Sequence, residues 1–135
     1  MRRPDFVRHM TAFLLLSMVV TAVGCSNEKP TGTLSGAVTY NGSPVNAGAI
    51  NFISADGAGA ESPIEGGEYA VEGALPVGQY SVFLSPPRPQ PQPPGKPPIP
   101  AAKFDVPAKF HSSASSGLKV TVEAGKNDLP VEIKD

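Results

Sequence analysis

Residues 33–42 have the sequence Thr-Leu-Ser-Gly-Ala-Val-Thr-Tyr-Asn-Gly, and this stretch decides the fold class. Apolar Leu34, Val38 and Tyr40 lie on one face of an alternating pattern, and small or polar residues occupy the other face. This period of two predicts a strand with one buried face. Asn41-Gly42 follows directly, and both residue types tolerate the positive φ angles of a tight turn. The folded part of the chain therefore begins with a strand and a turn.

The same alternation recurs six more times. Further strands are predicted at residues 49–54, 61–64, 68–71, 78–85, 118–122 and 129–133. Loops or turns are expected at 56–59, at 65–67 and at Gly125-Lys126-Asn127, and Pro130 marks the last strand as an edge strand. Because no helix is predicted after residue 24, the chain is all-β, with seven short strands in an antiparallel sandwich or barrel.

Residues 86–100 differ in composition from everything around them, with nine prolines in fifteen positions. Proline cannot donate to a sheet ladder, so the segment is expected outside the sheet as polyproline II, at most roughly 45 Å long. Pro86-Pro87-Arg88-Pro89 has the PxxP pattern with a basic residue that proline-recognition domains bind. The segment is read either as a stiff projecting loop or as a partner-binding loop. The candidate binding residues are Pro86, Pro87, Arg88, Pro89, Pro91, Pro94 and Pro97.

The N-terminus has the three parts of a secretory signal. A basic head is followed by the apolar residues 10–23, which are too few for a spanning helix of roughly 20 residues. Gly24 then directly precedes Cys25, the only cysteine in the chain. This arrangement resembles the lipobox of bacterial lipoproteins, in which the cysteine becomes the lipid-bearing N-terminus, although Ala22 stands where that motif prefers Leu. An ordinary cleaved signal, an uncleaved anchor and a twin-arginine signal beginning at Arg2-Arg3 are the alternatives.

The resemblance implies cleavage between Gly24 and Cys25 and acylation of the Cys25 thiol and amino group. The predicted organisation is a helical signal peptide at 1–24, a lipidated tether at 25–32 and one folded domain at 33–135. Two or three acyl chains hold a protein stably on a bilayer. The domain is therefore expected to be extracytoplasmic, and Ser26 after the cysteine favours the outer membrane over the inner one.

Composition excludes several functions. Residues 25–135 carry 8 Lys and Arg against 11 Asp and Glu, so the expected mature chain is mildly acidic and lacks the basic patch of a nucleic-acid-binding protein. With one cysteine, no disulfide can form within the chain. No cofactor and no metal are predicted.

Few residues suggest chemistry. His111, beside Ser112 and Ser113, is the only histidine after residue 24 and is interpreted as a solvated loop residue. One histidine cannot supply a zinc site, and no nucleophile-elbow motif accompanies it. Two carboxylate pairs, Asp56 with Glu61 and Glu65 with Glu68, are too sparse for a calcium loop. Tyr80 is read either as a core aromatic or as a tyrosine-corner residue bonded to backbone.

Residues 33–45, 75–82, 107–110 and 116–118 together resemble carboxypeptidase regulatory-like domains. The sequences are Thr-Leu-Ser-Gly-Ala-Val-Thr-Tyr-Asn-Gly-Ser-Pro-Val, Leu-Pro-Val-Gly-Gln-Tyr-Ser-Val, Pro-Ala-Lys-Phe and Ser-Gly-Leu. Phe110 and Val77 depart from the family pattern, which has Tyr and often Pro at these positions. The resemblance implies a seven-stranded, transthyretin-like Greek-key sandwich that is non-catalytic.

The predicted function is that of a lipid-anchored, non-enzymatic structural or protein-interaction domain of the cell envelope. Its partners are the membrane, through Cys25, and envelope proteins or glycans. A small-ligand or glycan-binding domain is the first alternative, for which the loops offer only the aromatics Phe104 and Phe110. A hydrolase is the second alternative and the least supported.

Overall fold

A computed structural model describes residues 28–89, 91–97, 99–100 and 102–135. The predicted signal peptide, Gly24 and Cys25 lie outside these residues. The all-β prediction is confirmed. The strands are β1 Thr31–Tyr40, β2 Ser43–Pro44, β3 Ala49–Ser54, β4 Gly59–Glu65, β5 Glu68–Ala70, β6 Leu75–Pro76, β7 Gly78–Ser85, β8 Leu118–Val122, β9 Gly125–Asp128 and β10 Val131–Ile133.

In the part of the chain that the structure describes, one short helical turn accompanies these strands. The turn is a 3-10 helix at Ala108–His111. Among the described residues, none of the helical segments has the length and apolar character needed to cross a bilayer.

The first strand and its turn form as the sequence predicts. Leu34 and Val38 are buried on the inner face of β1, whereas Thr33 and Ala37 are exposed on the outer face. Asn41 has φ 48° and is the only described non-glycine residue in the left-handed region. Gly42 follows at φ 84°. This turn starts a two-residue ladder between β1 and β2.

The strands form one curled sheet in the order β10-β1-β5-β4-β3-β7-β8, with β2, β6 and β9 also paired to β1. Most ladders are antiparallel, as predicted. The exceptions are the parallel ladders that β1 makes with β9 and with β10. The chain leaves β8, crosses at Glu123–Gly125 and runs beside β1 in the same direction, so these two ladders depart from the antiparallel pattern of the rest of the sheet.

The structure has ten described strands where the sequence predicted seven. Two additions, β2 and β6, are two-residue ladders on β1. The third, β9, replaces the turn predicted at Gly125-Lys126-Asn127. Those residue types favour turns, but pairing with β1 overrides that tendency, with Lys126 opposite Thr33 and Asn127 opposite Leu34. Asn127 closes the preceding crossover instead, because its side chain bonds both the N–H and the carbonyl of Glu123, at 3.0 and 2.8 Å.

The core lies inside the curl of the sheet and is contributed by nearly every strand. The rings of Phe52 on β3 and Tyr69 on β5 meet there, with their centroids 5.5 Å apart. The Tyr69 hydroxyl donates to the Leu129 carbonyl at 2.8 Å, which ties β5 to the last segment of the chain. The apolar and aromatic side chains with at most 2% exposure are Leu34, Val38, Ile50, Phe52, Tyr80, Val82, Leu84, Val122 and Ile133.

The two ends of β7 lie at opposite ends of the domain. We call the end where β7 begins the tether end and the end where β7 finishes the loop end. The tether end contains residues 28–30: the Val77 N–H donates to the Pro30 carbonyl at 2.9 Å, just before β7 begins. The loop end contains Ala49 and Ser85, which pair where β7 finishes. Eight residues of strand separate the two ends by about 25 Å at about 3.3 Å per residue.

The predicted tether at 25–32 is too long by two residues. Thr31 and Gly32 already belong to β1 and pair with Pro76 and Leu75. Gly32 is buried so closely that a Cβ there would lie 2.0 Å from the Glu123 carbonyl oxygen. Only residues 26–30 are left between Cys25 and the sheet, a reach of roughly 17 Å when fully extended.

Substitution of Gly36 tests the packing of β1. A Cβ at Gly36 would lie 2.3 Å from the Leu129 carbonyl oxygen, a backbone atom that cannot move as a side chain can. We expect Gly36→Ala to lower the free energy of unfolding by about 2 kcal/mol, the usual scale of overpacking. Urea denaturation of a chain beginning at residue 26 measures the loss.

The matched control for this test is Ala37→Val, the next residue on the same strand. Ala37 faces outward and is exposed, so the larger side chain should change stability by less than about 0.5 kcal/mol. Equal midpoints for Gly36→Ala and the parent chain would contradict the close packing described above.

Candidate interaction surface

The proline-rich segment leaves the sheet and returns to it at one place. Gly48 marks that place: a Cβ there would lie 2.4 Å from the Ser85 carbonyl oxygen and 2.7 Å from the Phe104 ring. Ser85 is the last residue of β7, and Phe104 packs against the core after the segment has ended. We call residues 86–103 the proline loop, and the described residues of this loop leave the sheet and rejoin it at this base.

The first part of the proline loop is held against the outer face of the sheet. Arg88 donates to the Glu61 carboxylate at 2.9 Å, reaching β4 from the end of β7. Asn51 on β3 lies between those strands, is 8% exposed, and donates from its side-chain amide to Ser85 Oγ at 2.8 Å. Both ion-pair partners are largely exposed, so this pair orients the loop more than it stabilises the fold.

The middle of the proline loop turns back on itself, so the predicted continuous polyproline II rod is wrong. Gly95 adopts φ 94°, and the Lys96 N–H contacts the Pro93 carbonyl at 3.4 Å. We assign the Gln92 amide so that its nitrogen donates to the Pro97 carbonyl at 2.9 Å and its oxygen accepts from the Ile99 N–H at 2.8 Å. Glycine breaks the proline run, and the glutamine amide brings together backbone groups that prolines leave unpaired.

The predicted binding residues of the loop differ in exposure. Pro87 is half-buried near the base, and the exposed Arg88 forms an ion pair with Glu61. Pro86, Pro89, Pro91, Pro94 and Pro97 are exposed. Ile99 beyond the turn is 65% exposed, the highest value for a large apolar side chain among the described residues. The turn from Pro91 to Ile99 therefore offers more free surface than the PxxP sequence at residues 86–89.

The segment that returns from the loop is packed, which corrects two sequence expectations. Phe110 is 5% exposed in the core and Phe104 is half-buried against it, so neither is a free loop aromatic. His111 was predicted as a solvated loop residue but is half-buried at the end of the 3-10 helix. Its Nε2 lies 2.9 Å from the Val106 carbonyl oxygen, and its ring centroid is 5.2 Å from that of Phe104.

Tyr80 combines both roles that the sequence left open. It is a core aromatic with 1% exposure, and its hydroxyl donates to the Pro76 carbonyl, four residues upstream, at 2.9 Å. Burial raises the pKa of its phenol, and the Asp56 carboxylate acts in the same direction. The bond fixes the connection between β6 and β7 at the tether end.

The carboxylates considered for calcium do not come together as one cluster in the fold. Asp56 faces Lys29 at 3.7 Å, and Glu61 holds Arg88. Glu65 and Glu68 stand opposite each other across the β4–β5 hairpin. Within residues 28–89, 91–97, 99–100 and 102–135, no group of three or more His, Cys, Asp and Glu side chains is placed to hold a metal ion.

The C-terminus lies at the loop end. Lys109 on the 3-10 helix makes a close ion pair with Asp135, and the Tyr40 hydroxyl donates to the same carboxylate at 3.1 Å. The hydrogen bond from Lys109, followed by that from Tyr40, lowers the pKa of the Asp135 carboxyl. The end of β1, the 3-10 helix and the last residue are thereby joined next to the base of the proline loop.

A second surface feature is an open groove of about 790 Å³ across β4, β5, β1 and β9. Tyr69 lines it, and burial raises the pKa of this phenol to about 12, with nearby Asp128 adding to the effect. The charged residues that line the groove are Glu65, Glu68, Glu72, Asp128 and Lys126.

Comparison with protein-family models, with curated proteins and with solved structures found no match to this chain. The resemblance to carboxypeptidase regulatory-like domains therefore stays a prediction from the quoted motifs.

Sequence reasoning missed the contacts that shape this surface. Arg88 and Glu61 are 27 residues apart, and no local sequence pattern predicts that they pair. The buried Asn51 was detectable in principle, because a polar residue between Ile50 and Phe52 must find a hydrogen-bond partner when β3 is covered on both faces. The groove is lined by residues of four strands, and no local sequence pattern predicts that these residues come together.

Proposed function

We propose that this protein is a lipid-anchored, extracytoplasmic, non-enzymatic interaction domain of the bacterial cell envelope. In this proposal Cys25 carries the lipid after cleavage at Gly24, and the proline loop binds the partner. The observation that carries the proposal is the placement of residues 28–30 at one end of the domain and of the loop base, at Gly48, at the other.

The placement of the tether and the loop at opposite ends of the domain matters because the tether is short. A lipid on Cys25 would hold the tether end within roughly 17 Å of the bilayer, the reach of residues 26–30. The loop base would then stand farther from the membrane by about the length of β7, some 25 Å. At about 0.8 kcal/mol per buried methylene, the acyl chains hold the domain on the membrane without help from its surface.

We further propose that the curled sheet is a transthyretin-like Greek-key sandwich. Its support is the position of the resembling motifs: residues 33–45 cover most of β1 and all of β2, and residues 75–82 cover β6 and most of β7. The Tyr80 bond to Pro76 lies inside the second motif and resembles the tyrosine corner of Greek-key domains.

No observation favours the alternative functions. A glycan-binding site built on Phe104 and Phe110 loses its aromatic surface, because both side chains pack inward. A hydrolase using His111 has little support, because one ring nitrogen of His111 already contacts the Val106 carbonyl. Partner binding by the proline loop remains the function that the surface supports best.

The lipid anchor is tested by metabolic labelling with a palmitate analogue. We expect the parent chain to take up label and to sediment with membranes, and Cys25→Ser to lose both properties because its hydroxyl cannot form the thioether. The matched control is Ser26→Ala, which changes the adjacent residue and should label as the parent does. A parent chain without label would refute the anchor.

Partner binding is tested by replacing residues 86–100 with a short Gly-Ser linker. Because Ser85 and Phe104 already meet at Gly48, the linker can close the gap, and the melting temperature should change by only a few degrees. Pull-down of the envelope partner should be lost. Asp56→Ala, at the opposite end of the domain, is the control that should keep the partner, and unchanged capture by the linker variant would overturn the assignment of the loop.

A further inference from the structure

Charge is separated between the proline loop and the rest of the domain. Residues 86–103 contain Arg88, Lys96 and Lys103 and no carboxylate. The remainder of residues 25–135 carries 5 lysines against 11 acidic residues. The proline loop is therefore basic, whereas the remainder of residues 25–135, which we call the body, is acidic.

Two of the three loop cations are available to a partner. Arg88 is held by Glu61, whereas Lys96 and Lys103 are exposed and have no carboxylate within 4.0 Å among the described residues. On the body, Lys29, Lys109 and Lys134 each pair with an acidic residue. Lys119 and Lys126 on the body likewise have no ion pair among the described residues, so the loop differs from the body in having no carboxylate of its own.

The complementary surface on the same chain is the acidic groove. Its four carboxylates, from Glu65, Glu68, Glu72 and Asp128, outnumber the single cation Lys126. Small apolar side chains and prolines also line it, namely Ala37, Ala70, Pro63 and Pro130, together with the polar Ser35 and Ser62 and the Tyr69 ring. Such a surface suits a basic, proline-rich turn that its own prolines and the Gln92 amide already hold in shape, because a preordered segment loses little conformational entropy on binding.

The loop of the same copy does not fill the groove. Arg88 and Glu61 place the loop base on the outer face of β4, yet none of the described loop residues lines the groove. The groove and the turn of the loop are thus both open to another molecule, and the chain itself provides the matching partner for each.

We propose that the proline loop of one membrane-anchored copy docks through Lys96 in the acidic groove of a second copy. This inference rests on the proposed function, because it uses the anchored orientation and the displayed loop. The contact is heterologous, so each copy keeps one free loop or one free groove and neighbouring copies can associate into rows.

The contact is expected to be weak in solution and effective on the membrane. A segment of about ten residues buries less than the roughly 1,200 Å² of a stable interface. Anchoring in one membrane raises the effective concentration of the two surfaces and orients them alike. Because the attraction is between exposed charges, raising the ionic strength should weaken it.

The test uses two differently tagged full-length chains co-expressed in the same membrane. One carries Pro97→Cys on the loop and the other Ala70→Cys in the groove, so that no charged residue is altered. The only natural cysteine is Cys25, which the lipid blocks. After treatment of the membranes with a bismaleimide crosslinker, we expect a product of twice the chain mass that carries both tags.

The matched control places the second cysteine on β8 as Thr121→Cys, which is exposed and outside the groove. Mixed product should be about five-fold lower there. Lys96→Glu in the loop chain should lower the product by a similar factor, and Glu68→Lys in the groove chain should restore it, since reversing both charges recreates the attraction. Rescue by Glu68→Lys separates a direct charge contact from a loss of folding.

Four outcomes would overturn the inference. The first is absence of mixed product, the second is equal product with Thr121→Cys, and the third is no effect of Lys96→Glu. The fourth arises when both cysteines are placed in one chain and the crosslink forms only within that chain. If copies fail to crosslink while palmitate labelling and loop-dependent partner capture persist, self-docking is wrong and the proposed function stands. Loss of labelling in the parent chain would instead refute the anchor on which both depend.

Discussion

The close approach of β1 to the last segment of the chain is the constraint on which the rest of the structure depends. At Gly32 and Gly36 a Cβ atom would lie 2.0 and 2.3 Å from carbonyl oxygens of Glu123 and Leu129. Without side chains at these two positions, β9 and β10 can lie beside β1 in parallel ladders. A single strand thereby pairs with five others, and the sheet can curl around one core.

That constraint also sets the direction of the domain. Because β1 begins at Thr31 and its first residues pair with Pro76, the N-terminal segment leaves the domain beside the start of β7. The proline loop begins where β7 finishes, so the loop and the tether are separated by the length of a strand. Binding elements on loops are commonly positioned by a rigid sheet. Here the sheet also determines which end a lipid on Cys25 would bring to the bilayer.

Local periodicity predicted most of the fold. The strands at Ala49–Ser54, Gly78–Ser85 and Leu118–Val122 have the predicted bounds, because alternation in each is strong and turn residues flank it. Strand β9 was missed since Gly125-Lys126-Asn127 is locally a turn sequence, and only pairing with β1, more than 90 residues earlier, makes it a strand. Composition likewise located the proline loop but not its shape, which depends on the turn at Gly95 and on the bonds of the Gln92 amide.

The central claim is that the proline loop stands at the membrane-distal end of an anchored domain. It is tested most directly by placing a fluorophore on the lipidated chain in vesicles whose headgroups carry a short-range quencher. A fluorophore at Asp56→Cys, on the tether end, should be strongly quenched. One at Pro97→Cys, on the loop, should be quenched little. Equal quenching at the two positions, or stronger quenching at the loop, would contradict the account.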